Sequence, residues 1–86
     1  MEMKVTVTIH QSQTRKTFLL MAEDEIYDEV FGIADGMKSA IADFVQNFNS
    51  MMYRNEDGSE CTICNEDIVL PKRSEWTIRN IQTSWN

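Results

Sequence analysis

Between Ile26 and Met51 the apolar side chains recur in unbroken steps of three or four: Ile26, Val30, Ile33, Met37, Ile41, Phe44, Phe48 and Met51. At roughly 100° per residue they fall within an arc of roughly 80°, and no other stretch constrains the fold as strongly. The spacing predicts one amphipathic helix over about residues 23–53, roughly 45 Å long. Glu23, Asp24 and Glu25 would occupy its first turn, where negative charge complements the helix dipole. Gly32 and Gly36 each cost such a helix about 1 kcal/mol relative to alanine, so a kink is expected near Asp35-Gly36 if the helix bends at all.

The flanking segments read as strands. Met3 to His10 alternates, with Met3, Val5, Val7 and Ile9 on one face and Lys4, Thr6, Thr8 and His10 on the other. Thr14 to Met21 is a second strand, and the short polar link Gln11–Gln13 makes the pair an antiparallel hairpin. Asn55-Glu56-Asp57-Gly58 is a turn, with Gly58 supplying a positive φ. Glu60 to Leu70 carries β-type residues with a bend or bulge at Asn65-Glu66-Asp67, and Pro71 closes it. Glu75 to Trp85 is a last strand, in which Ile81 breaks the alternation and a bulge near Asn80 would restore it. The expected fold is therefore α+β: a single two-layer domain spanning residues 1–86, with an antiparallel sheet in ββαββ order packed on one long amphipathic helix. A helix that long outruns a small sheet, so its Met-rich end at Phe48, Met51, Met52 and Tyr53 could dock on a twin, which makes a homodimer the second reading.

Charge narrows the function. The net charge is −6, and it is uneven. Residues 22–53 hold seven acids against Lys38 alone, and residues 54–67 hold five against Arg54; each end of the chain is mildly basic. Direct binding to nucleic acid by bulk charge is not expected, because phosphate recognition needs a net basic footprint. A basic protein partner is expected instead, steered by long-range attraction. No apolar run reaches signal-peptide or membrane-span length, so no membrane association is expected and the cytosol of the cell that makes the chain is the expected address.

Few motifs carry chemistry. The run Glu60-Cys61-Thr62-Ile63-Cys64-Asn65-Glu66-Asp67-Ile68 resembles the opening of a RING finger over those nine residues. A structural zinc site takes four ligands, and this chain offers two thiols and the distant His10. On a regular strand Cys61 and Cys64 would face opposite ways. Two small buried residues are expected there, with a metal shared between two copies as the alternative. His10 is expected on the polar face of the first strand. Nothing supplies a nucleophile with a base at usable spacing or a Gly-rich phosphate loop, so neither an enzyme nor a cofactor is expected. Arg15, Lys16, Lys72, Arg73 and Arg79 read as edge-strand protection, with a stacking surface for single-stranded nucleic acid, built with Trp76 and Trp85, as the alternative.

The expected binding surface is the helix face away from the apolar stripe. Asp24, Asp28 and Asp35 would share it, beside Glu23, Glu25 and Glu29, with Tyr27 and Phe31 stacked at i and i+4. Aromatic anchors ringed by carboxylates are the composition of a protein-binding hot spot. The expectation is a small acidic inhibitor or adaptor that engages a basic protein, a nucleic-acid-binding effector among the candidates, by mimicking phosphate charge. In size and charge, though in no residue motif, the chain is similar to the acidic inhibitors that phages direct against bacterial nucleases and CRISPR effectors.

Overall fold

The computed structural model describes residues 3–24, 27, 29–51 and 53–79. Among these residues five strands and one α-helix follow in the order β1 (Val5–Ser12), β2 (Thr17–Ala22), β3 (Phe31–Asp35), α1 (Met37–Ser50), β4 (Ile68–Val69) and β5 (Thr77–Arg79). The fold is mixed α+β, as expected, but its element order is not ββαββ. The sheet runs β3-β2-β1-β4, and β5 also pairs with β1. Both β4 and β5 lie parallel to β1, so the sheet is mixed rather than antiparallel. Parallel pairing needs a crossover, and here β2, β3 and α1 carry the chain across before it returns to the far edge of β1.

The first hairpin forms as its alternation dictates. Val7 faces Ala22, Ile9 faces Leu20 and Gln11 faces Phe18 across an antiparallel ladder. Val5, Val7 and Ile9 are buried while Thr6 is exposed. In the connection, the Ser12 hydroxyl accepts the backbone N–H groups of Thr14 and Arg15 at 3.3 and 3.2 Å. The second strand therefore starts at Thr17, three residues later than its sequence pattern suggests.

The long helix is the main correction. Among the described residues of this segment only Met37–Ser50 is α-helical, 14 residues and about 21 Å; Phe31–Asp35 is instead an edge strand paired to β2, with Leu20 opposite Gly32 and Phe18 opposite Ala34. Three features decide this. Gly36 takes φ +89°, a left-handed conformation closed to a continuing right-handed helix. Its N–H donates to the Lys16 carbonyl at 2.7 Å, which extends the β2–β3 ladder by one bond. Finally, Gly32 is where α1 crosses the strand. A Cβ there would lie 2.5 Å from the Ala40 carbonyl oxygen and 2.6 Å from the Phe44 nitrogen. The inward-facing residues of this segment are Val30, Gly32 and Ala34, so its true period is two. Two of those three are too small to register in an apolar count, and outward-facing Ile33 supplied a false helical step. The observed helix, at about 21 Å, is roughly half the expected length.

The core lies between α1 and the β1/β2 face. Ala40, Phe44 and Phe48 follow one another at i+4 and pack with Val5, Val7, Ile9, Leu20 and Val30, and Cys61 and Ile63 close the layer. Asn49, near the helix end, reads both backbone groups of Ile63: its amide donates to the Ile63 carbonyl at 3.0 Å and its oxygen accepts the Ile63 N–H at 3.0 Å. The turn at Asn55–Gly58 forms with Gly58 at φ +88°, and the Gly58 N–H donates to the Asn55 carbonyl. The expected bend at Asn65–Asp67 is a 3-10 turn. Most of the segment 60–70 is not strand. Beyond Arg79 the expected last strand, with its bulge near Asn80, lies outside the described residues. No helix among the described residues is long and apolar enough to cross a membrane.

Candidate functional site

β3 ends the sheet on one side, and an edge strand leaves alternate backbone groups without a neighbouring strand. Here the helix supplies the neighbours. The Ile33 N–H donates to Asp43 Oδ2 at 2.9 Å, and Asn47 Nδ2 donates to the Phe31 carbonyl at 2.6 Å. Asn47 also donates to the same Asp43 oxygen at 3.4 Å. One acid–amide pair, spaced i and i+4, thus caps the strand edge and ties it to α1.

Above this pair runs a groove of about 550 Å³, lined among others by Glu29, Phe31, Ile33, Asp43, Asn47 and Met51. Phe31 is 39% exposed and Met51 46% exposed. Two large apolar side chains therefore face solvent beside two carboxylates, and no basic residue among the described residues lines the groove. Such a surface can take the aliphatic stem of a lysine or arginine against Phe31 and Met51 while the cationic head meets Glu29 and Asp43.

The residues singled out from sequence do not share one helical face. Glu29 forms the approach to β3 and lines the groove; Phe31 opens β3, and Asp35 ends it, accepting the Thr17 hydroxyl at 2.6 Å. Glu23 and Asp24 follow β2, where they border a smaller concavity of about 280 Å³ with Lys4, Thr6 and Tyr27. Tyr27 sits in a single turn, its N–H on the Asp24 carbonyl at 3.0 Å. Its ring packs on Phe48 (5.0 Å between centroids) and Tyr53 (4.8 Å), at the margin of the core. Burial, and next the neighbouring Cys61, push the Tyr27 hydroxyl above the ordinary phenol pKa. Glu25 and Asp28 lie outside the described residues.

The sequence pattern gives Asp43 and Asn47 no site role, and it places Met51 only in the apolar stripe and at the Met-rich end of the expected helix. Met51 counts as core in the helical stripe, yet it is exposed at the helix C-cap. The one sequence signal for the others was Asp43 and Asn47 four apart, both poor helix formers placed mid-helix.

The two cysteines part company. Cys61 is buried in the core and its thiol donates to Asn55 Oδ1 at 2.8 Å. Cys64 is exposed, its N–H donating to Asp67 Oδ2 at 2.8 Å and its thiol to the same oxygen at 3.4 Å. The Glu66 carboxylate first, and Asp67 second, accept from this thiol and hold it above the ordinary cysteine pKa; both carboxylates are lowered in turn. Among the described residues no cluster of three or more His, Cys, Asp or Glu is placed to hold a metal. Iodoacetamide at neutral pH should therefore modify Cys64 alone in the folded protein, more slowly than an unstructured cysteine because less of it is thiolate. Mass spectrometry of the alkylated protein checks this; label on Cys61 at a comparable rate contradicts its burial.

No family model matches the sequence, and neither the curated proteins nor the solved structures contain a match.

Proposed function

We propose that this chain is a small acidic protein-binding module that captures a basic protein through the groove between β3 and α1. The observation that carries the reading is the pairing of exposed Phe31 and Met51 with Glu29 and Asp43 in a groove that no basic residue lines among the described residues. Apolar anchors set beside charge are what a recognition hot spot requires, and the net charge of −6 steers a cationic partner toward the chain. A nucleic-acid-binding effector is the partner class this charge favours. By covering that effector's cationic surface the module acts as an inhibitor; on any other basic protein it acts as an adaptor. The acidic surface is thus the mouth of a strand–helix groove and not a helix face.

The test is capture from a lysate of the native host after nuclease treatment, using the natural chain and a Glu29→Lys/Met51→Glu variant. The expected result is a basic protein retained by the first and lost by the second, with unchanged circular dichroism. Both substitutions fall on exposed side chains, so stability should change by no more than about 0.5 kcal/mol. Glu23→Lys/Asp24→Lys, away from the groove, should still capture. Equal capture by the groove variant would reject the reading.

A further inference from the structure

The sheet's opposite edge carries the complement of the groove. From the last residue of β4 the chain runs Val69-Leu70-Pro71-Lys72-Arg73, with Val69 40% and Leu70 42% exposed and both cations exposed. Trp76 holds this segment in place. Its indole N–H donates to the Pro71 carbonyl at 3.3 Å, and the Arg73 guanidinium lies 5.6 Å from its ring centroid. Backbone bonds from Glu75 N–H to the Lys72 carbonyl and from Trp76 N–H to the Arg73 carbonyl complete a 3-10 turn. The ring itself is fixed edge-on against Phe18 at 5.7 Å. Two apolar side chains followed by two cations are thus presented on a pre-ordered support, which lowers the entropy lost on docking.

We propose that the occupant this groove fits within the molecule's own chemistry is the Val69–Arg73 segment of a second copy, giving head-to-tail self-association. Leu70 meets Phe31 and Met51, while Lys72 and Arg73 meet Glu29 and Asp43. Groove and knob lie on opposite edges of one sheet, so a chain cannot fill its own groove, and the contact is heterologous: each copy offers a knob to one neighbour and a groove to another. A few side chains in about 550 Å³ bury less than the roughly 1,200–2,000 Å² of a stable complex. Association is therefore reversible, with a dissociation constant on the order of 0.1–1 mM, and a basic partner competes with it. The inference rests on the groove being a binding surface, but it has its own readout.

Sedimentation velocity on the full chain up to about 1 mM tests it. The natural chain should show concentration-dependent growth. Lys72→Glu/Arg73→Glu and Glu29→Lys should each weaken it by at least about tenfold, while an equimolar mixture of the two recovers association as one-to-one pairs, because the unaltered acidic groove of the first variant then meets the unaltered basic segment of the second. Lys72→Glu alone, which leaves Arg73 on Trp76, guards against a folding artefact and should show an intermediate loss. A natural chain that stays monomeric throughout overturns the inference, as does a mixture that fails to recover. Monomeric behaviour combined with capture of a basic protein leaves the proposed function standing. Association without such capture removes the proposed function and keeps the inference.

Discussion

Gly32→Ala should destabilise the protein by about 2–3 kcal/mol and lower its urea midpoint by about 1–2 M. The new methyl group would sit 2.5 Å from the Ala40 carbonyl oxygen and from Phe44 Cβ. Those atoms belong to the helix, and no flexible side-chain end is available to move aside. The strand and helix must separate, loosening every contact that α1 makes with the sheet. Against this stands only the smaller entropy of the unfolded alanine chain, worth about 0.4–1 kcal/mol in the other direction. The sign is diagnostic. Were residue 32 inside an exposed helix, the same substitution would stabilise by about 1 kcal/mol. Equilibrium denaturation therefore distinguishes a strand crossing from a helical turn with one conservative change.

The second large effect is at Phe48. This ring is fully buried and meets Tyr27, Phe44 and Tyr53, so it joins the helix to the connections on either side of it. Phe48→Ala removes the ring and leaves a cavity that its three tilted aromatic neighbours can only partly refill, at a cost of about 3–5 kcal/mol. A chain of this length has a total stability of about 4–13 kcal/mol. The variant should accordingly populate the unfolded state substantially near 37 °C. Phe48→Leu, which keeps most of the volume, should remain folded with a lower melting temperature. Calorimetry or thermal circular dichroism checks both, and a native-like melting temperature for Phe48→Ala would contradict the aromatic cluster.

Where the sequence was legible, the core-facing residues were large and alternated or recurred cleanly. Val5, Val7 and Ile9 specified β1 and its inward face; Phe44 and Phe48 specified the buried side of α1. Where it misled, the inward positions were small. Gly32 and Ala34 face the helix and contribute almost nothing to an apolar count, while Ile33 and Met51, which do contribute, face away from the core or lie exposed. A rhythm of 3.6 across residues 26–51 was the sum of a period-two strand and a true helix in phase by chance. Gly36, a modest cost within a helix, is at φ +89° a stop. The parallel pairing of β4 and β5 depends on where the chain returns after α1, which no local pattern encodes. The candidate site was half legible for the same reason. Glu29 and Phe31 were marked by composition, but the groove exists only because Asp43 and Asn47 reach the strand edge, and that contact follows from the break at Gly36.

Fold and groove both stand on residues 31–35 being an edge strand packed against α1. Backbone Cα chemical shifts from a labelled sample measure that directly. Negative secondary shifts from Phe31 to Asp35, followed by positive ones from Met37 to Ser50, are the expected result. A continuous positive run from Val30 through Ser50 would contradict it and remove the groove with it.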